Sequence, residues 1–293
     1  MESLRILLVS QKGGVGKSTI SANLAAWYGS IPKRKTVLLD FDPHASASEW
    51  LNNLKPENVS VYCHTFKDFV AQRWFISARM EVRKRAAINQ ILIADLTWTK
   101  PMNKDFITEF DIIIVPCGVS QVEVEATKNF ISNNLIGANR SEISPKLLLC
   151  PSRLTERELK TNPFYSEKFS FPLLLLPPLP ADSEVKNMFK KNFVFDSNAV
   201  HAGYYDRCFK AIFKVGEDFL KSKQKVEYGN KKSVISSLTH KENSAVKKKM
   251  GPSQYLTNVE KLISDKKVNK KSDKKESYDV SREKRTWLQR LLW

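Results

Sequence analysis

The chain lacks any apolar run near the ~18 residues that a membrane-spanning helix needs, which excludes a protein built on such helices. A signal-peptide pattern is missing too, because an apolar strand-like run begins within a few residues of Met1. Histidine and cysteine are scarce, with four of each. His44, His64, His201 and His240 are scattered, and Cys63, Cys117, Cys150 and Cys208 show no C-x-x-C spacing. No metal cage can be read from them. The thiols are expected to be reduced and mostly buried, in a cytoplasmic protein. Internal repeats are absent, which excludes a solenoid.

Acidic residues are also in short supply. Lys and Arg number 48 against 31 Asp and Glu, a net charge of +17. The excess is uneven: Lys221 to Trp293 hold 20 basic and 8 acidic residues. Such a tail predicts an anionic partner, either nucleic acid or an acidic membrane surface.

Residues 11–19 read Gln11-Lys12-Gly13-Gly14-Val15-Gly16-Lys17-Ser18-Thr19, directly after the apolar run Leu4–Val9. This is a phosphate-binding loop between a strand and a helix. The common form is G-x-x-x-x-G-K-[ST]. Here Gln11 replaces the first glycine, and a second lysine, Lys12, precedes the glycine pair. The glycines let backbone N–H groups turn inward around a triphosphate. Lys17 neutralises the β and γ phosphates, and the Ser18 hydroxyl is placed for Mg²⁺. Lys12 adds a further positive charge at the phosphates.

Val37-Leu38-Leu39-Asp40-Phe41-Asp42-Pro43 is a strand ending in two carboxylates two residues apart. Both leave the same side of the strand tip, near the phosphate loop if this strand neighbours the first. One can hold a water of the Mg²⁺ shell and the other can orient an attacking water. Ile91-Leu92-Ile93-Ala94-Asp95 is an apolar strand ending in an aspartate that reaches Mg²⁺ through water.

Strands are expected at Arg5–Ser10, Thr36–Phe41, Val59–Cys63, Gln90–Asp95, Asp111–Pro116, Lys146–Cys150 and Phe171–Leu176. Several are continuously apolar, as parallel strands covered on both faces are. Helices are expected at Ser18–Tyr28, Thr65–Ala87, Gln121–Leu135, Thr155–Leu159, Ser183–Lys190 and Gly203–Lys221. The order gives an α/β fold, a doubly wound, mostly parallel sheet of about 7–8 strands, with ligands at the C-terminal strand ends. Residues 1–223 form this domain. Residues 224–281 read as a basic flexible linker with a short amphipathic helix at 254–264. Residues 282–293 are an amphipathic segment, with Trp287, Leu288, Leu291 and Leu292 on one helical face.

These motifs together resemble the ParA/MinD family of deviant-Walker ATPases over roughly residues 4–220. The resemblance implies ATP and Mg²⁺ as ligands and an ATP-sandwiched homodimer. In it Lys12 crosses to the partner's phosphates, Lys17 serves its own subunit and Ser18 binds the metal directly. Asp42 would orient the hydrolytic water, and Asp40 and Asp95 would hold the metal through water. Adenine would rest near Arg153, Pro180 and Asp182. A ParB-like or other activating partner protein is implied as well. His44 stands where the family usually has glutamine, and Leu96-Thr97-Trp98-Thr99 replaces the usual proline-rich switch. Because the first strand begins so early, no N-terminal helix-turn-helix domain, and hence no autorepression through one, is expected.

Function follows as an ATPase that positions or partitions DNA or another cargo by cycling on nonspecific DNA, in the cytoplasm and on the nucleoid. The alternative is a MinD-like membrane cycle through the terminal amphipathic segment and anionic lipid. An iron–sulfur reductase of the same site type would need two bridging cysteines, and only Cys117 lies between Asp95 and Leu135. A small-molecule ligase would need a substrate pocket, which sequence leaves open.

Overall fold

The structure, a computed structural model, describes residues 2–64, 71–99, 103–136, 144–181, 183–197 and 201–249. Its strands are β1 (Leu4–Ser10), β2 (Thr36–Asp40), β3 (Val59–Cys63), β4 (Ile91–Thr97), β5 (Ile112–Cys117), β6 (Lys146–Pro151) and β7 (Leu174–Leu175). Its helices are α1 (Lys17–Gly29), α2 (Ser46–Leu54), α3 (Ala71–Ala86), α4 (Gln121–Phe130), α5 (Glu156–Thr161), α6 (Ser183–Asn187) and α7 (Ala202–Lys249). The strands form one sheet in the order β3-β2-β4-β1-β5-β6-β7, with every pairing parallel. From β1 the chain builds outward on one side, returns to place β4 against β1, then crosses to build the other side. Open α/β sheets bind ligands at the crevice this crossing leaves.

The continuous apolar runs are explained by cover on both faces. Leu4, Ile6 and Leu8 of β1 pack with α1 and α7 residues such as Leu24 and Phe209. Leu7 and Val9 pack on the opposite side with Trp74, Phe106 and Phe130. A period of two along each strand thus feeds two separate cores. Helix α1 is apolar or small nearly all round (Ile20, Ala22, Leu24, Ala25, Ala26) and is buried accordingly.

The pattern differs from the sequence reading in several places. Helix α2 was not expected, although Ala47, Trp50, Leu51 and Leu54 fall at helical spacing and three of them are buried. Strand β2 does not neighbour β1; β4 lies between them. Strand β4 continues two residues past Asp95, because β1 extends to Ser10 and pairs with it to Thr97. Helix α4 passes at Ile131 into a π-helical turn, Ile131–Leu135. Helix α7 runs on to Lys249 across the expected linker, since residues 222–249 hold no proline and one glycine, Gly229. Contacts group Met1–Lys225 into one compact unit and Val226–Trp293 into another. The expected segments 254–264 and 282–293 lie outside the described residues, as does the stretch 65–70 of the second expected helix. All four cysteines are free, with Cys117, Cys150 and Cys208 buried and Cys63 exposed.

Candidate functional site

The loop from Gln11 to Gly16 joins β1 to α1. Gly14 and Gly16 have φ of 74° and 85°, a left-handed backbone that a side chain would strain. A Cβ at either glycine, or at Gly13, would meet no atom within 4 Å, so the space above the loop is open to a ligand. Helix α1 has no side-chain cap and no acid in its first turn. Its first N–H groups and positive dipole end are therefore unspent, which suits a phosphate. The loop is braced from outside: Ser10 Oγ donates to the Lys12 carbonyl at 3.0 Å, and Ser152 Oγ to the Val15 carbonyl at 2.9 Å. A cleft of about 580 Å³ opens over it, lined by the loop from Lys12 to Thr19, by Asp42, His44 and Thr97, and by Arg153 and Pro180.

Asp40 and Asp95 are direct neighbours in the β2–β4 register. Lys17 runs from the first turn of α1 to this strand tip. Its Nζ lies 2.7 Å from Asp95 Oδ1 and 3.0 Å from Asp42 Oδ2. Burial opposes the ammonium charge, but the two carboxylates outweigh it and raise the lysine pKa. Asp42 also accepts from Thr97 Oγ1 at 2.5 Å and from the His44 N–H at 3.0 Å. Burial works against its ionisation too; Thr97, His44 and Lys17 overcome that and hold it at about 2.

Asp40 is turned to another task. Its oxygens accept the N–H groups of Asp42 at 3.0 Å and Ser48 at 2.9 Å, which shapes the turn and anchors α2. Burial, then the nearby Asp95 charge, push its carboxyl up to about 6. Each Asp40 oxygen accepts one backbone N–H and retains a second lone pair that can accept from a water. Asp95 Oδ2 is buried with no hydrogen-bond partner. A fully buried carboxylate oxygen left unpartnered fits a water of a Mg²⁺ shell, so the residues present suit that ion.

Asp40→Ala is expected to leave two buried N–H groups unpaired and to cost about 1–3 kcal/mol in urea unfolding. The loss should be larger at pH 4.5 than at pH 7. A carboxyl whose folded pKa lies near 6 binds its proton more tightly folded than unfolded, so its contribution falls as pH rises from ~4 through ~6. Asp42 behaves oppositely: its contribution is present above ~4 and is lost as pH falls toward ~2.

The two loops named for adenine do lie together. Leu154 bridges Pro180, and its N–H donates to the Leu179 carbonyl at 3.0 Å. Arg153 and Pro180 line the cleft, whereas Asp182 lies outside the described residues. Lys12 also lines the cleft, but its side chain is 49% exposed and its Nζ sits 3.7 Å from Glu123 Oε1.

A family model described as the CobQ/CobB/MinD/ParA nucleotide binding domain matches residues 6–263. The chain belongs to that family. Among CobQ/CobB/MinD/ParA relatives, it is 49% identical over 47 residues to the chromosome-partitioning ATPase Soj of Thermus thermophilus. That match covers 16% of this chain and 18% of Soj, so the chain spans under a fifth of the length of the curated relatives it matches. A putative plasmid partition protein from Borrelia burgdorferi, solved with AMPPNP, shares the fold with a TM-score of 0.52 at 16% identity, covering 73% of this chain and 99% of that one. McdA of Cyanothece, solved as a variant with ATP, gives a TM-score of 0.56 at 13% identity over 75% of this chain and 98% of that one. At such identities the likeness extends to the fold alone.

Sequence reasoning missed Thr97, Ser152 and Glu123 as parts of this site. Thr97 was detectable, since it continues the alternation of β4 to the level of Ser10. Ser152 and Glu123 gave no local signal, because their partners Val15 and Lys12 lie more than a hundred residues away in the chain.

Proposed function

We propose that the chain is an ATPase that dimerises on ATP and positions or partitions DNA, or another cargo, by cycling on nonspecific DNA. The observation that carries this reading is the contrast between its two loop lysines. Lys17 is buried among carboxylates at the bottom of the cleft; Lys12 stands half-exposed on its wall. One lysine serves the nucleotide of its own subunit, and the other, once released from Glu123, reaches a nucleotide in a second copy.

On ATP binding, Lys17 leaves Asp42 and Asp95 for the β and γ phosphates, and the α1 N–H groups clasp the same oxygens. Ser18 and, through water, Asp40 and Asp95 would hold Mg²⁺, which would neutralise charge on the phosphates. Asp42, already ionised and oriented by Thr97 and His44, positions the attacking water. Lys12 of each subunit crosses to the other's phosphates and closes the dimer. Arg153 and Pro180 flank the adenine. A partner protein stimulates turnover, and the dimer separates and leaves DNA.

Lys12→Ala is expected to bind ATP but to stay monomeric in size-exclusion chromatography with ATP. A normal dimer with normal turnover would reduce Lys12 to a loop charge and end this reading. DNA binding should be ATP-dependent, indifferent to sequence and steeply salt-sensitive. Contacts to about 6–10 phosphates imply a ~10³–10⁵-fold loss between 50 and 200 mM salt. The same titration on a chain cut after residue 225 tests whether the basic tail carries the contacts. Binding to anionic vesicles in place of DNA would favour the membrane cycle instead.

A further inference from the structure

Glu123 sits at the start of α4 with its side chain only 14% exposed. Its position is fixed from several sides. Ser120, the N-cap of α4, donates its hydroxyl to Glu123 Oε2 at 2.8 Å and accepts the Glu123 N–H at 3.4 Å. Gly118 leaves room for the carboxylate, since a Cβ there would collide with Glu123 Oε2 and with the Arg153 guanidinium. Arg153, held at a left-handed φ of 61°, donates from Nη2 to Glu123 Oε1. Lys12 approaches that same oxygen from the phosphate loop. Burial disfavours the charge on Glu123, but Ser120, Arg153 and Lys12 prevail and keep the carboxyl below its ordinary range.

Two cations from different loops of the nucleotide cleft therefore share one carboxylate oxygen. Both line the cleft, and Glu123 does not. Phosphate oxygens and the Glu123 carboxylate are alternative partners for the same Lys12 ammonium, and the ammonium cannot serve both fully.

We propose that Glu123 is a positioning residue for Lys12: it holds this lysine off the phosphates in the nucleotide-free chain and competes with nucleotide for it. The pair is half-exposed, so the competition is worth a few-fold in affinity and not orders of magnitude. It tunes how readily Lys12 is released, while the Lys17 site does the main binding. The pairing itself stands on the contacts above; only its bearing on dimerisation rests on the function proposed here.

The test uses the full chain and the isosteric Glu123→Gln, which keeps an oxygen acceptor for Ser120 and removes the charge. Amine acylation of Lys12 without nucleotide, followed by peptide mass spectrometry, should run about 2–5-fold faster in Glu123→Gln, with exposed Lys84 as an unchanged control. The difference should vanish at 0.5 M salt, where an exposed pair is screened. The Kd for a non-hydrolysable ATP analogue with Mg²⁺ should fall by a similar factor. In a Lys12→Ala background, Glu123→Gln should leave that Kd unchanged. Equal acylation in wild type and variant would overturn the pairing. Faster acylation with an unaltered Kd would overturn the competition. A Kd change of the same size with and without Lys12 would show that Glu123 acts through Arg153 or the loop fold, and would overturn it as well. The acylation readout requires neither a dimer nor DNA, so failure of the positioning-ATPase reading would appear separately in the chromatography and DNA assays.

Discussion

Lys17→Ala should abolish nucleotide binding and destabilise the empty protein at the same time. The ammonium pairs with both Asp42 and Asp95, and Asp95 is fully buried. Its loss removes the charge that faces the phosphates in a site where Coulomb terms are large. It also strands a buried carboxylate, and breaking a buried pair by deleting one partner costs about 3–5 kcal/mol. Isothermal titration with ATP and urea unfolding without it would read the two effects separately. ATP affinity within a few-fold of wild type would refute the assignment of the loop. Unchanged stability would mean that the Lys17 contacts do not persist in solution.

Asp42→Ala should bind ATP and fail to hydrolyse it, with turnover down by at least ~10²-fold, the scale of a lost proton-handling or water-positioning group. Asp42 is suited to that work because three donors fix it: Thr97 Oγ1, the His44 N–H and Lys17 Nζ. When Lys17 turns to the phosphates, the first two remain and keep the carboxylate ionised and aimed into the cleft. Its removal leaves the α1 N–H groups, Lys17 and Ser18 in place, so affinity should survive and ATP-bound dimers should accumulate. A normal hydrolysis rate would transfer the role elsewhere. Asp40 is a poor substitute, with both oxygens bound to backbone N–H groups.

Most of the fold was legible because the sheet is covered on both sides. Runs such as Ile91–Ala94 and Ile112–Val115 are apolar at every position, and that pattern marks interior parallel strands. The phosphate loop was legible for a related reason: its function rests on backbone geometry, which glycine spacing records directly. What escaped depended on distance along the chain. The sequence left open whether the β2 carboxylates lie beside the first strand; β4 intervenes, and Lys17 closes the gap with its length. The two aspartates of Asp40-Phe41-Asp42 look equivalent in sequence. Only the fold separates them, by giving Asp40 to the turn before α2 and leaving Asp42 at the cleft. Helix α2 was missed because nine residues offer barely two turns of periodicity.

Lys17, through its pairing with Asp42 and Asp95, bears on how nucleotide would leave. Its ammonium acts as an internal ligand for Asp42 and Asp95, so bound nucleotide competes with a tethered rival that never diffuses away. A site that had to expose bare carboxylates on losing its ligand would hold product tightly. Here the departing phosphates are replaced at once by a side chain already within reach. With nucleotide bound as proposed, the same pairing would favour its release without an outside counter-ion.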